Sequence, residues 1–339
     1  MIQEAKDLKG LVSRFRKKKI MLIGDLYLDE YLYGTAVNIS REGHALESRI
    51  EKHEFALGGA ANTANNLKRL GAEVTVIGVA GDDFVKNILF AKFRQSRIKT
   101  GSIVIDKKRK TNHYIKIRGK APHTGYQLKE LLRTPQNSMI TKETELALMQ
   151  KIKKSIKRMD AIVVTEQMGG AITQGLLARI TSLANQHNIP IIGDSRSKMG
   201  AFMNFSFITP NDFEAAFALE IPGLNMADEI GKEQAMLIGK RIVHELNLKG
   251  ALITRGKDGM IMFNRNTMFS LPSYADEIVD VTGAGDTVTA AFALALAAGA
   301  SPERAAVISN AAAAVAVKKP GTAAATPKEV MEVLTHVKR

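Results

Sequence analysis

Asp280-Val281-Thr282-Gly283-Ala284-Gly285-Asp286, followed at once by the apolar, alanine-rich segment 287–298, decides how the rest of the chain is read. Gly283, Ala284 and Gly285 make a small-residue turn at a helix start, where backbone N–H groups and the positive end of the helix dipole face an incoming anion. An acid beside such a pocket suits a reaction in which a hydroxyl loses its proton while the phosphoryl group it attacks gathers negative charge. On that reading Asp286 is a general base, and Gly283, Ala284 and Gly285 form an anion hole. Taken alone, the same residues also describe an ordinary glycine-rich helix cap with an acid in its first turn.

At 339 residues the chain can bury a large core, as two domains or as one large α/β domain. Hydrophobic residues make up 45% and charged residues 24%, the balance of a soluble globular protein. No apolar run reaches the roughly 20 residues that span a bilayer, so no membrane partner is expected. The N-terminus has basic residues but no apolar stretch with a cleavage site behind it, which makes the cytoplasm the expected location. Cysteine is absent, which excludes disulfides, thiolate metal sites and thiol nucleophiles. The formal charge of +14 gathers in 14–19, 107–110 and 151–158, an excess that attracts phosphorylated small molecules or nucleic acid, or simply solvates helix surface. No nucleic-acid reader motif accompanies it and aromatics make up only 6%, so the expected partner is a small molecule and not nucleic acid.

Short apolar runs at 20–24, 74–79, 161–165, 189–194, 205–209 and 251–254 alternate with helical stretches at 59–70, 84–95, 173–187 and 230–246, and the chain is helical from 285 onward. That alternation predicts an α/β fold, a mainly parallel sheet with helices on both faces. Two segments break the rhythm, about 31–57 and 103–120. Both alternate polar and apolar residues without a helical stripe, as in Thr111-Asn-His-Tyr-Ile-Lys-Ile-Arg118. They read as strands of a small β lid inserted into a single domain covering 1–339, or as an edge hairpin whose charges discourage aggregation.

Four further motifs fall at strand ends, where open α/β sheets place ligands. Gly24-Asp-Leu-Tyr-Leu-Asp29 offers carboxylates for sugar hydroxyls or for capping the next segment. Gly58-Gly59-Ala-Ala-Asn62 opens a helix, with glycines that allow close backbone approach and an amide that donates and accepts. In Thr209-Pro-Asn-Asp-Phe-Glu214, Asn211 and Glu214 have the spacing of a capping box, and equally of a phosphate contact with an acid for hydrated Mg²⁺. Thr254-Arg-Gly-Lys-Asp-Gly259 is a turn between strands, with Gly256 and Gly259 leaving room for an adenosine moiety.

In this order the motifs resemble the ribokinase-like, or phosphofructokinase B, family of carbohydrate kinases, over about residues 20–327. The resemblance implies a three-layer α/β/α sandwich with a β lid, ATP as donor with Mg²⁺, and room for a monovalent cation. It implies that Asp29, Gly58, Gly59 and Asn62 bind sugar, that Asn211, Thr254, Gly256, Gly259 and Asn310 serve the nucleotide, and that Glu214 holds the metal through water. Arg118, or a lid cation near it, is expected on a substrate phosphate. A homodimer paired through lid strands is also implied.

Within the family the chain is most similar to kinases of heptose 7-phosphate, through 24–34, Asn38-Ile39-Ser40, 58–62, 279–288 and 310–314, which implies phosphorylation at C1. Three stretches depart from that group: 41–46, Glu166-Gln-Met-Gly-Gly170 where a lysine is expected near Gly169, and Asp194-Ser-Arg196 in place of Asp-Pro-Lys. The seven histidines include no His-x-Gly-His pattern, so no adenylyltransferase part is expected. A kinase for fructose, a ketodeoxy sugar acid or a nucleoside remains an alternative, as does a non-catalytic nucleotide or sugar sensor.

Overall fold

The computed structural model describes residues 2–39, 46–121, 125–133, 138–221 and 229–336. The strands among them are β1 (Lys19–Gly24), β2 (Leu26–Ile39), β3 (Leu46–Gly59), β4 (Glu73–Ile77), β5 (Val79–Ala80), β6 (Val104–Ile105) and β7 (Asn112–Ala121). They continue as β8 (Gly125–Arg133), β9 (Ala161–Glu166), β10 (Ile191–Ser195), β11 (Phe207–Ile208), β12 (Gly250–Thr254), β13 (Met260–Asn264) and β14 (Met268–Leu271). The helices are α1 (Ile2–Ser13), α2 (Ala60–Arg69), α3 (Phe84–Gln95), α4 (Lys142–Ser155), α5 (Gln174–Gln186), α6 (Asp212–Ala218), α7 (Lys232–Glu245), α8 (Ala284–Ala297), α9 (Pro302–Val317) and α10 (Pro327–His336).

Eight strands form the main sheet in the order β14-β13-β12-β11-β10-β9-β1-β4, parallel except for the two antiparallel pairings that add β13 and β14 at one edge. Its central strands are buried on both faces, which is why they read as unbroken apolar runs. Alternate residues feed two cores. Ile20, Leu22, Ala161 and Val163 pack with residues of α1, α2, α8, α9 and α10, while Met21, Ile23, Ile162 and Val164 pack with residues of α4, α5, α6 and α7. The expected α/β sandwich with helices on both faces of a mainly parallel sheet is therefore what the chain adopts. Among the described residues no helix is long and apolar enough to cross a membrane.

A second sheet has four strands in the order β3-β2-β7-β8. Its extent differs from the expected lid in three ways. β2 starts at Leu26, directly after β1, so Asp29 sits inside a strand and not in a turn. Residues 104–105 pair with β5 in a separate two-stranded ribbon. β8 adds a strand that the periodicity does not announce. Ser40 and the departure at 41–45 lie outside the described residues.

Candidate active site

The first turn of α8 stands at the end of the main sheet where β1, β9, β10 and β12 finish, and it lines a cavity of about 440 Å³. Gly283 precedes the helix at φ +78°, a left-handed conformation, and a Cβ there would fall 2.6 Å from Asn62 Nδ2. Glycine is thus required twice over, by backbone and by neighbour. Gly283 and Gly285 line the cavity. Ala284 does not: its N–H turns back to the Val281 carbonyl at 3.1 Å, so the anion hole of the expectation shrinks to the N–H groups on either side of it.

Asp286 lines the same cavity and is held by the first turn of α2. Asn62 Nδ2 donates to its Oδ2 at 2.6 Å and Thr63 Oγ1 to its Oδ1 at 2.7 Å. Burial pushes the Asp286 carboxyl up to about 6; the two hydrogen bonds pull the other way, the Asp29 charge adds to the rise and Lys116 opposes it. An acid with a pKa near neutrality, steadied by neutral donors, is suited to take and release a proton. Asn62, expected on the sugar, lines the cavity and gives one amide N–H to Asp286.

Asp29 closes the acceptor side. It is buried, and the space for its carboxylate exists because residue 58 is glycine: a Cβ there would lie 2.2 Å from Asp29 Oδ1. Its Oδ2 accepts from Lys116 Nζ at 2.6 Å, and Lys116 also donates to Tyr31 Oη at 3.1 Å. Asp25, the other acid of that motif, is not available to a sugar. It accepts backbone N–H groups of Gln167, Gly169 and Ala171 at 2.8–3.0 Å and so fixes the loop after β9. A Cβ on Gly169 would lie 2.5 Å from Asn112 Nδ2 and 2.8 Å from the Asp25 side chain, while Arg109 Nη2 donates to the Gly169 carbonyl at 2.6 Å. The expected lysine is absent because this position is packed shut.

Asn211 and Glu214 form a complete capping box at the start of α6, with Glu214 N to Asn211 Oδ1 at 2.7 Å and Asn211 N to Glu214 Oε2 at 2.9 Å. Both still line the cavity, with Asp194, Arg196, Thr254, Gly256 and Thr322. Asp194 is raised well above the usual carboxylate range, first by burial and then by the charges of Glu214, Asp286 and Glu166. Glu214 is raised too, chiefly by burial, with Arg196 in opposition. Two buried acids that repel each other fit a divalent cation, which would relieve that repulsion. Among the described residues no three acidic or imidazole side chains converge as a direct metal cage.

Besides Ala284, three expected residues lie off the cavity. Arg118 Nη2 bonds Asp280 Oδ2 at 3.1 Å instead of facing it. Gly259, at φ +85° with an ideal Cβ 2.0 Å from the Leu271 carbonyl, belongs to the turn into β13. Asn310 donates to the Pro272 carbonyl at 2.7 Å and accepts from Tyr274 N at 3.3 Å, tying α9 to the segment after β14. Conversely, Thr63, Lys116, Asp194 and Arg196 were not singled out for these contacts. The Asp-Ser-Arg departure was the one local signal for the last two.

Asp286, Gly283, Gly285 and Asp29 thus share one crevice, and comparison with known proteins bears on what that means. Residues 17–329 match the family described as pfkB family carbohydrate kinase. The chain belongs to the pfkB family of carbohydrate kinases. This kinase is 32% identical over 335 residues to the bifunctional protein HldE of Pelobacter propionicus, covering 98% of the chain and 66% of that protein. It is 33% identical to HldE of Helicobacter acinonychis, covering 95% of the chain and 68% of that protein. The kinase therefore spans about two thirds of the length of these relatives. Its fold superposes on Arabidopsis thaliana ribokinase complexed with ribose and ATP at a TM-score of 0.72 and 17% identity, over 95% of this chain and 100% of that one. For phosphofructokinase-2 of Escherichia coli, in complex with substrates and products, the TM-score is 0.75 at 19% identity, over 95% and 100% of the two chains.

Proposed function

We propose that this sugar kinase transfers the γ-phosphoryl group of ATP to the C1 hydroxyl of D-glycero-D-manno-heptose 7-phosphate. The single observation that carries phosphoryl transfer is Asp286, a carboxyl pushed up to about 6 beside the N–H groups of Gly283 and Gly285 and in one cavity with Asp29. Asp29 accepts hydrogen bonds from hydroxyls of the sugar and orients it. Asp286 receives the proton of the attacking hydroxyl as the oxygen–phosphorus bond forms, and the bond from γ-phosphorus to the bridging oxygen of ADP breaks. The N–H groups of Gly283 and Gly285 hold the equatorial phosphoryl oxygens through that change. Asn211, Thr254 and Gly256, which line the cavity, serve the nucleotide, while Gly259 and Asn310 hold the segment 271–274. Asp194 and Glu214 are the residues that would hold hydrated Mg²⁺, whose charge offsets that of the phosphates. A monovalent cation, a homodimer through the second sheet and a cytoplasmic setting belong to the same reading.

The heptose assignment is supported by the likeness of the opening segment and by the HldE relatives. A different acceptor is the second reading, favoured by Gln167 and Arg196, which line the cavity at two of the departures. Assays of ATP with heptose 7-phosphate, fructose, fructose 6-phosphate, ketodeoxygluconate and ribose, read by phosphorus NMR, test both. A C1 phosphate on the heptose is the expected product, and preference for an unphosphorylated sugar would reject it.

A further inference from the structure

Phosphoryl transfer alone does not require a buried ammonium on the second sheet. Lys116 is only 9% exposed, and its charge is matched by Asp29. A buried ion pair is close to neutral for stability compared with apolar residues of the same volume, so stability gives little reason for one here. An ammonium has three N–H donors. One goes to Asp29 and one to Tyr31, and the third has no partner among the described residues. The ammonium is kept from solvent by ring faces, 4.8 Å from the Tyr31 centroid and 5.2 Å from that of Tyr114. Lys116, Tyr114 and Asp29 all line the cavity that holds Asp286.

We propose that Lys116 is a specificity-determining residue that reads the acceptor hydroxyl adjacent to the one gripped by Asp29, so that the pair selects sugars with neighbouring hydroxyls. This rests on the kinase reading of the site. A hydroxyl both donates and accepts, whereas a carboxylate only accepts and an ammonium only donates. The pair therefore presents complementary ends to two oxygens on adjacent carbons. The spare N–H donates to one hydroxyl oxygen, Asp29 accepts a hydrogen bond from the next hydroxyl, and the Tyr114 ring offers an apolar face to the sugar's C–H groups. An acceptor phosphate is poorly suited to this spot, because the carboxylate lies 2.6 Å from the ammonium and would repel it. The phosphate of a sugar phosphate must then sit away from Lys116.

Steady-state kinetics with ATP and D-glycero-D-manno-heptose 7-phosphate, and with its 2-deoxy, 3-deoxy and 4-deoxy analogues, test the assignment in the wild type, K116M, D29N and D29N/K116M. The wild type is expected to discriminate against two deoxy analogues, those altered at adjacent carbons, by roughly tenfold or more each in kcat/KM, the scale of one hydrogen bond to a charged group. K116M loses discrimination at one of these carbons and raises the acceptor KM while leaving the KM for ATP in place; D29N loses discrimination at the neighbouring carbon. If K116M fails to fold with Asp29 left alone, the comparison of D29N/K116M with D29N carries the same readout. A variant lacking Lys116 that still discriminates among the analogues as its parent does overturns the assignment. Failure of the kinase reading looks different: the wild type then phosphorylates no acceptor, and this assignment falls with it.

Discussion

Asp280 and Asp286 stand six residues apart on one loop and helix start, yet their surroundings drive them in opposite directions. Asp280 accepts from Thr282 N and Oγ1 at 2.9 and 2.6 Å, from Gly321 N at 3.0 Å and from the Arg118 guanidinium at 3.1 Å. Although burial opposes it, those donors bring its carboxyl down to about 2. Asp286 has two neutral side-chain donors, more burial and the Asp29 charge nearby, and rises to about 6. One acid is fixed as an anion that joins loop, second sheet and C-terminal segment. The other is kept ready to change protonation. Burial first, then hydrogen bonding and neighbouring charge, separate two residues of the same type here.

The sharpest way to break this contrast is Asp286→Asn. Turnover should fall by roughly a thousandfold with the KM for ATP little changed, because only proton acceptance is lost; near-normal turnover in steady-state assays would remove Asp286 as base. Stability should move the other way. With its folded-state pKa raised above the ordinary aspartate value of 3.8, ionised Asp286 costs the fold stability, a cost absent below about pH 4 and complete above about pH 6. The variant should therefore be more stable than the parent at pH 7.5, by about 1–2 kcal/mol in urea titrations, and should lose that advantage near pH 4.

Asp280→Asn should invert the sign. A carboxyl whose folded-state pKa is depressed adds stability that is present above its unfolded value near 3.8 and fades as pH falls towards about 2. Allowing for its partial exposure, the variant should lose about 1 kcal/mol at neutral pH. It should also turn over roughly tenfold more slowly, since the loop that aims Gly283 is no longer tied to Gly321. Arg118→Met removes only the guanidinium from the same carboxylate and should cost less on both counts. Equal effects of the two substitutions, measured by urea midpoints and kcat, would mean that the backbone donors contribute little.

What could be read from the chain follows the same division. The helix start at 283–286 and the alternation of buried strands with amphipathic helices are set by local chemistry, so both were legible before any contact was known. Among the acids of Gly24 to Asp29 the family resemblance pointed to Asp29, which lines the cavity; local chemistry alone could not choose it, because the choice depends on β1 leading into β2 and on the backbone of 167–171 claiming Asp25. The choice between Lys116 and Arg118 was equally hidden. They lie two residues apart on β7, and their acids, Asp29 and Asp280, come from opposite ends of the sequence. Asp194 keeps the aspartate of the Asp-Pro-Lys pattern from which Ser195 and Arg196 depart, and only its burial and the gathering of Glu214, Asp286 and Glu166 around it give it an electrostatic role.

The finest probe of the contrast is Thr63→Val, which removes one neutral donor from Asp286 and leaves Asn62 in place. Hydrogen bonds to the ionised carboxylate hold its pKa down, so losing one should raise it above about 6. A base works only when deprotonated, and the acid limb of kcat/KM should therefore move to higher pH, by up to about one unit for a bond of ordinary strength. The plateau at alkaline pH should change little, because the carboxylate, once formed, still sits against Asn62. A limb that stays in place while the plateau falls would mean that Thr63 orients Asp286 without tuning it, and the difference between the two acids would then rest on burial and the Asp29 charge alone.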